Sequence, residues 1–307
     1  MNQKKNDELS LKILEILKKE PRMLHRNIAE ELGISRSTVS RRVQALIDKR
    51  IIRGYRTIIA LRPRIVLVEL KTNPQEQFLL KEVLSWSEVT HIDGVIGNYS
   101  LILRVQLLGE EDFPKFLKKL DSLMSRTSFK KYRVVEIHQT YKEDDFRFPK
   151  PNFLKSTIRL SETDQKILSL LSLPSPKPWT SQNIAESLNK TQPAIFKRLK
   201  SLKERGLILG EALNINYGKL GINTIFNLQI KIEPDKYDEF ARALEKKKEV
   251  VDLYRTGLEY GLLARIRTSS ISEYNDFLKE LFKSTDLLDT HSTLVLEEIS
   301  PLSGQYW

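Results

Sequence analysis

An internal repeat is the feature of this sequence that most limits the folds open to it. Six apolar or glycine positions return 156 residues later (Ile28 as Ile184, for example), and five later positions return after 161 residues (Tyr99 as Tyr260). The first set is Ile28, Ala29, Leu32, Val39, Leu46 and Gly54, and the second is Tyr99, Arg104, Phe113, Leu117 and Leu120. A constant register over so many positions predicts a tandem duplication. Each folding unit is therefore expected twice.

The first copy contains two short helical patterns separated by a tight turn. Gly33 is placed to end one helix and Ser35 to cap the next, because a serine hydroxyl can accept an unpaired backbone N–H. The second helix has an apolar stripe at i, i+4 and i+7, formed by Val39, Val43 and Leu46. Its outward side carries Ser37, Ser40, Arg41 and Gln44, flanked by Arg36 and Arg42. The pattern predicts a helix-turn-helix whose second helix suits a DNA major groove.

Positive charge is concentrated around this helix pair. The chain has 51 basic and 40 acidic residues, and the segment 21–56 alone holds nine basic against three acidic residues. The segment 51–59 then predicts a short β-ribbon that turns at Gly54, which would make the module a winged helix-turn-helix. A basic face of this kind indicates double-stranded DNA as the partner. The candidate DNA-binding residues are Arg26, Ser35, Arg36, Ser37, Thr38, Ser40, Arg41, Arg42, Gln44, Arg53 and Arg56.

The second helix-turn-helix keeps the apolar stripe but changes the outward positions. Thr191 stands at the cap, and lysine replaces arginine, which predicts weaker base discrimination because lysine lacks the planar fork of arginine. Phe196 replaces a hydroxyl, and its ring can contact either a thymine methyl group or the neighbouring repeat. The candidate DNA-binding residues of the second helix-turn-helix are Thr191, Gln192, Phe196, Lys197, Arg198 and Lys200.

A different pattern follows each helix-turn-helix. From residue 64 to residue 141 strand and helix patterns alternate in the order βαββαβ, which is typical of a ferredoxin-like fold. A polar stretch over 143–152 predicts a linker. The expected fold class is α+β, with two winged helix-turn-helix domains (1–62 and, with its linker, 147–216) alternating with two ferredoxin-like domains (63–146 and 217–307).

One face of each predicted sheet needs a partner. Both helices of a βαββαβ unit cover the same sheet face, so the other face meets water or a second sheet. That face mixes aliphatic and charged residues, with Glu69 and Glu136 in one copy and Arg265 and Arg267 in the other. We therefore expect self-association through the βαββαβ domains, with these acids near these arginines.

The motifs together resemble the leucine-responsive regulatory protein (Lrp/AsnC) family. The residues that carry the resemblance are Ile13-Leu14, residues 28–33, Val39, Arg42-Val43, Leu46, Gly54-Tyr55 and Gly97-Asn98-Tyr99. The resemblance implies transcriptional regulation, a pseudo-dimer within one chain and a possible amino-acid effector. It places the candidate effector-binding residues at Gly94, Gly97, Asn98, Tyr99, Gly257 and Tyr260. Ser100 and Gly261 depart from the family, which usually has an acidic residue there.

Other kinds of site are poorly represented. The chain has no cysteine, and its four histidines (His25, His91, His138 and His291) have neither metal-ligand spacing nor a nearby nucleophile signature. We therefore predict no metal, no cofactor and no catalytic residue. Because the start lacks the pattern of a signal peptide and no apolar run approaches ~20 residues, we expect a cytoplasmic protein without a membrane partner.

An enzyme on the same architecture is the alternative. Siroheme decarboxylase subunits are similar to this chain in their two-domain architecture, and there histidine and arginine near the sheet surround an anionic tetrapyrrole. Such subunits do not need a cationic reading helix, which is the second helix of a helix-turn-helix and the one that contacts DNA bases. This chain has such a helix. The sequence therefore predicts a sequence-specific DNA-binding transcriptional regulator that is not an enzyme.

Overall fold

The structure is a computed structural model that describes residues 2–60, 64–107, 109, 111–149, 160–173, 175–284 and 286–299. Residues 150–152 of the predicted linker and 300–307 of the last predicted domain lie outside the described residues. The chain forms two compact units. One contains the described residues of 1–61 and 144–221, and the other contains those of 62–143 and 222–306.

The same order of helices and strands occurs in both halves of the chain. The α-helices are α1 (Asn2–Lys19), α2 (His25–Leu32), α3 (Arg36–Asp48), α4 (Gln77–Leu84), α5 (Asp112–Ser125), α6 (Glu162–Ser172), α7 (Ser181–Ser187), α8 (Gln192–Glu204), α9 (Tyr237–Leu244) and α10 (Ile271–Leu281). The strands are β1 (Ile52–Ile59), β2 (Arg64–Leu70), β3 (Val89–Val95), β4 (Leu101–Leu107), β5 (Tyr132–Glu143), β6 (Phe146–Arg147), β7 (Ile208–Ile215), β8 (Thr224–Ile232), β9 (Val250–Thr256), β10 (Leu262–Thr268) and β11 (Leu287–Ile299).

The first unit contains both helix-turn-helix modules. Gly33 ends α2 in the left-handed conformation, with φ of 63°, and the Ser35 hydroxyl accepts a 3.2 Å hydrogen bond from the Thr38 amide at the start of α3. The predicted stripe of α3 is buried against α1 and α2. The equivalent stripe of α8 is buried in a second core with α6 and α7. Apolar spacing thus places the outward side of each reading helix.

A shared ribbon joins the two modules. Strand β1 pairs antiparallel with β7 from the second half of the chain, with Tyr55 opposite Leu213. The predicted turn at Gly54 is wrong, because Gly54 lies inside β1. A Cβ atom there would come within 2.6 Å of the Ser175 carbonyl oxygen, while Tyr55 exchanges two backbone hydrogen bonds with Ser175 (2.7 and 2.9 Å). Gly54 therefore allows the backbone of Ser175 to approach β1 closely, and it does not form a turn.

The second unit contains two four-stranded sheets that close on each other. Their strand orders are β5-β2-β4-β3 and β11-β8-β10-β9, and each is the order of a split βαβ fold. Strand β3 pairs with β11 and β5 pairs with β9, so the eight strands form a ring in which each has two neighbours. Closure of the ring removes the free edges of both sheets.

The cores of this unit lie between the sheets and their helices. One buried cluster joins β2, β3 and β4 to α4 and α5, and another joins β8, β9 and β10 to α9 and α10. The opposite sheet faces contact each other where Arg265 on β10 hydrogen-bonds to Asp93 on β3, while Val95, Val295 and Ile225 form a small apolar ladder across the paired strands β3, β11 and β8. The mixed sheet faces therefore meet within one chain. None of the helices within the described residues combines the length and the hydropathy of a membrane span.

Candidate DNA interface and buried charge cluster

The outward side of α3 presents exposed cations. Arg36 and Arg41 are exposed, and neither forms an ion pair with a residue that the structure describes. Gln44 is also exposed, and its amide donates a 2.8 Å hydrogen bond to Asp48. Because Val39 is fully buried on the opposite side, these side chains point away from the core. The arrangement can supply two guanidinium groups and one amide to an anionic partner.

The hydroxyl groups of the same helix are engaged locally. The Ser35 Oγ lies 2.9 Å from both Ser37 Oγ and Thr38 Oγ1, and Ser40 Oγ lies 2.8 Å from His25 Nδ1. These contacts hold the first turn of α3 and brace it against α2. The candidate residues Thr38, Ser40 and Arg42 are half-buried, so they contribute less exposed surface than Arg41 does.

Cations outside the reading helix divide into exposed and paired side chains. Arg53 on β1 is exposed, and Arg26 is an exposed side chain 3.8 Å from Glu30. Arg56, which we predicted to bind DNA, is half-buried and forms a 2.6 Å ion pair with Asp144. Arg22 donates to Trp179 O (2.6 Å) and to the carboxylate of Glu211, and so joins the two helix-turn-helix modules. Arg22 and Arg56 thus help to hold the first unit together.

The second reading helix, α8, has fewer side chains that suit base recognition than α3 has. Thr191 occupies the N-cap of α8, but no side-chain hydrogen bond caps the helix. Gln192, Lys197 and Lys200 are exposed, and the ring of Phe196 is 62% exposed. Phe196 therefore does not pack on the neighbouring repeat, which was one of the two alternatives for its side chain.

Arg198 of α8 is held by the N-terminus of α6. Its guanidinium donates to Ser161 Oγ (2.9 Å) and to Asp164 (3.0 Å), and those two residues form the capping box of α6. Burial alone would raise the pKa of Asp164, but hydrogen bonds from Ser161 and Arg198 lower it. Arg198 therefore fixes α8 against α6.

The candidate effector residues fall into two separate turns with different neighbours. The Tyr99 ring lies beneath the cations of Lys131 (5.1 Å) and Arg133 (5.5 Å), whereas the Tyr260 hydroxyl donates to Asp289 (2.5 Å). Gly97 takes φ of 145° at a turn, with Asn98 exposed beside it. Gly94 packs against the side chain of Glu297, and Gly257 packs against the ring of His138. The described contacts do not bring the two turns together.

A buried charge cluster joins the two sheets, and sequence reasoning missed its acids. Arg265 on β10 binds both carboxylate oxygens of Asp93 on β3, and its second amino group donates to Glu298 on β11 (2.7 Å). His91 Nε2 lies 2.9 Å from Asp93, and Asn227 donates to the same carboxylate (3.3 Å). Burial alone would raise the pKa of Asp93, but the charge of Arg265 and hydrogen bonds from His91 and Arg265 hold it far below its ordinary value.

Three groups of this cluster are close enough to hold a metal ion, and Arg265 contacts two of them. Ligand atoms of His91, Asp93 and Glu298 lie within 4.8 Å of one another. Arg265 is hydrogen-bonded to both carboxylates and so already supplies a positive charge beside them. The equivalent residue of the first copy, Arg104, pairs with buried Glu143, so an arginine stands at the same place in each sheet.

The acids predicted to lie near Arg265 and Arg267, which were Glu69 and Glu136, were wrong. Glu69 pairs with Arg133 across β2 and β5 (2.6 Å), and Glu136 pairs with Arg64 (2.6 Å). Arg267 pairs with Glu298 instead of either acid. Alternation along a strand identified the charged faces but did not reveal which strands of the two copies would be neighbours.

Comparisons with known proteins agree on the two kinds of domain. Residues 6–53 match the family described as "Winged helix-turn-helix DNA-binding", and residues 226–303 match the "Lrp/AsnC ligand binding domain". The chain is 30% identical to the HTH-type transcriptional regulator FL11 of Pyrococcus furiosus over 138 residues, which are 45% of this chain and 90% of the relative. It is 28% identical over 144 residues to the DNA-binding transcriptional activator DecR of Escherichia coli, covering 46% of this chain and 93% of that protein.

A solved structure matches almost the whole chain. The siroheme decarboxylase NirDL has a TM-score of 0.65 at 17% identity, and the match covers 97% of this chain and 94% of that protein. This finding overturns the expectation that the chain is not an enzyme, because an enzyme has the same architecture from end to end. The expectation had relied on missing nucleophile and metal motifs and on the cationic outward side of α3, and neither tests for chemistry on a large anionic substrate. At this identity the likeness concerns the fold alone.

Proposed function

The chain belongs to the Lrp/AsnC family of transcriptional regulators, and from that membership we propose that it reads double-stranded DNA with two non-identical helix-turn-helix modules in one chain. The observation that carries the proposal is the pair of exposed arginines, Arg36 and Arg41, on the outward side of α3. Guanidinium groups on a helix that fits the major groove suit both base edges and phosphates.

A tandem duplication accounts for the two modules. Relatives such as FL11 match 90% of their own length to only 45% of this chain. The order of helices and strands in the first half recurs in the second half, and the β1–β7 ribbon pairs one copy with the other. These observations support a fused pair of regulators whose dimer contacts lie within one chain.

We assign the candidate DNA-binding residues to three roles. Arg41 and Gln44 are proposed to contact base edges, since both can form bidentate hydrogen bonds. The phosphate contacts are assigned to the exposed cations Arg26, Arg36, Arg53, Lys197 and Lys200. Ser35, Arg56 and Arg198 are assigned to holding the modules in place, because each is engaged by a neighbour in the first unit.

The preferred DNA site is expected to be asymmetric. Two identical reading helices would demand a palindrome with half-sites one helical turn apart, but Lys197 and Lys200 of α8 are point charges where α3 has Arg41 and Gln44. One half-site should carry most of the sequence information, while the other mainly supplies phosphates. Site selection from a random library, followed by footprinting at concentrations where one chain binds, tests the proposal. Equal information in both halves would show that the modules read alike.

Arg41→Ala is expected to weaken binding to the selected site by about 1–3 kcal/mol and to relax the preference at one base pair, because a bidentate base contact is lost. The matched control is Arg53→Ala, which removes an exposed guanidinium from β1 and should weaken all sequences to a similar degree. Both effects are measured by repeating site selection and fluorescence anisotropy titrations with each variant. Identical site preferences for the two variants would contradict these roles.

A small-molecule effector is proposed for the second unit. The match of residues 226–303 to a ligand-binding domain supports it, with an amino acid as the first class to test and Tyr99 and Tyr260 as candidate contacts. Self-association beyond one chain, if it occurs, must use surfaces other than the edges of the eight-stranded ring, because each of those strands already has two neighbours.

A siroheme decarboxylase-like tetrapyrrole enzyme is the second candidate function. The whole-chain likeness to NirDL favours it, since this likeness extends over both halves and the relatives named above match fewer than half of the residues. Titration with siroheme should then shift the absorption spectrum of the tetrapyrrole, and mass spectrometry should detect loss of CO2 from it. An unchanged spectrum together with salt-dependent DNA binding would exclude the tetrapyrrole enzyme and leave the DNA-binding regulator as the remaining candidate.

A further inference from the structure

Phe196 on α8 is a large apolar side chain that points away from every core of the first unit. Its ring is 62% exposed, whereas Ile195 beside it is fully buried. Exposure of one apolar side chain is common by itself. Its position is more informative, since the fifth residue of a reading helix is in the half that contacts base edges in helix-turn-helix proteins.

The surroundings of Phe196 define the chemistry of its partner. Gln192 lies one turn before it, Lys197 follows it and Lys200 lies one turn after it, and all three are exposed. The helix itself is held in place by the contacts of Arg198 with Ser161 and Asp164 (2.9 and 3.0 Å). A fixed aromatic ring within a cationic, amide-bearing surface suits a partner that is anionic overall and has small apolar groups at fixed positions.

The equivalent position in the first copy shows that the ring is a change of recognition surface. Phe196 corresponds to Ser40, 156 residues earlier, and Ser40 is braced by His25 (2.8 Å). The residue that corresponds to His25 is Ser181, which accepts instead from Gln192 (3.4 Å). The second copy has thus exchanged an internal hydroxyl–imidazole contact for an outward-facing ring.

The major groove of DNA presents one apolar group, the 5-methyl group of thymine, and a phenylalanine ring can contact it. We propose that Phe196 packs against a thymine methyl group in the half-site of α8 and gives this helix a preference for thymine at one position. The inference rests on the proposed function, and it assigns base recognition to a helix whose lysines would otherwise contact only phosphates. Arg41 and Phe196 would then read different base features in the two halves of one site.

Deoxyuridine tests this inference, because it differs from thymidine only by the methyl group. Each thymine of the α8 half-site is replaced in turn, and binding is measured by anisotropy for the wild-type chain and for Phe196→Ala. At one position we expect the replacement to weaken wild-type binding about fourfold, which corresponds to one buried methyl group. Phe196→Ala should lose this sensitivity, and replacement of that thymine by 5-methylcytosine should be tolerated better by wild type than replacement by cytosine.

The controls separate the possible failures. Phe282→Ala, which removes an exposed phenylalanine of the second unit, should leave the deoxyuridine effect unchanged. Thermal unfolding of Phe196→Ala should match wild type because the ring is exposed. If no position distinguishes wild type from Phe196→Ala, the inference is wrong while the proposed function stands. If wild type fails to bind any DNA at low salt, the proposed function itself fails. If Phe196→Ala changes only the oligomeric state in gel filtration, the ring contacts a second copy and the inference is overturned.

Discussion

Asp93→Ala is expected to lower the free energy of unfolding of the second unit by about 3–5 kcal/mol, because it leaves a buried cation without its main partner. Arg265 binds both oxygens of Asp93, and the Asp93 residue is only 3% exposed. Glu298 retains one contact with Arg265, but it also serves Arg267. Urea unfolding followed by circular dichroism measures the loss, and hydrogen exchange of β8 and β10 locates it.

The matched control is the ion pair between Arg64 and Glu136, whose side chains are 39% and 40% exposed. Glu136→Ala should change the free energy of unfolding by about 0–1 kcal/mol, since water solvates the remaining charge. The double variant Asp93→Ala with Arg265→Met should lose less than Asp93→Ala alone, because no buried cation remains. Equal losses for Asp93→Ala and Glu136→Ala would show that the cluster does not stabilise the interface between the sheets.

The ion pair between Asp93 and Arg265 also predicts a loss of stability in acid. Because the folded pKa of Asp93 lies below its value in the unfolded chain, near 4, its ionisation stabilises the fold fully above that pH. The contribution falls as pH decreases below about 4 toward the folded pKa, where both states become protonated. Asp93→Asn should therefore flatten the acid limb of the stability profile.

Sequence reasoning succeeded where the determining interactions are local. The burial of Val39, the glycine at position 33 and the cap at Ser35 follow from helical spacing and from the chemistry of helix ends, and the structure has each of them. The outward side of α3 followed from the same spacing. The hydroxyl groups of that side were harder to assign, because the contact of Ser40 with His25 depends on how two helices pack.

Sequence reasoning failed where two interacting residues are far apart in the chain. Gly54 was interpreted as a turn because its role depends on the backbone of Ser175, more than 100 residues away. The strand that completes the ribbon comes from the other half of the chain, and so does Asp93, the main partner of Arg265. Glu298 and Asp144 lie in the same halves as their partners Arg265 and Arg56, but on other segments far along the chain. Alternation within one strand carries no information about the order of strands between copies, so the charged faces were found and their pairings were not.

DNA affinity is expected to fall steeply with salt, because phosphate contacts release counterions from the DNA. The proposed interface presents six exposed cations, of which Arg26, Arg36, Arg53, Lys197 and Lys200 are assigned to phosphates and Arg41 to a base edge. If roughly five phosphates are neutralised, the logarithm of the binding constant should fall with a slope near −4.5 against the logarithm of salt concentration, or about five-hundredfold between 50 and 200 mM. Anisotropy titrations over that range measure the slope.

Single cation removals sharpen this salt test. Lys197→Gln and Lys200→Gln should each reduce the magnitude of the slope by about 1 and weaken all sequences alike, since each removes one proposed phosphate contact. Lys115→Gln is the control, because Lys115 is an exposed lysine of α5 in the second unit, paired with Glu111 (3.4 Å). It should leave the slope unchanged. A flat salt response of the wild-type chain would contradict DNA binding, and an equal change for all three variants would mean that net charge, not the face of α8, sets the affinity.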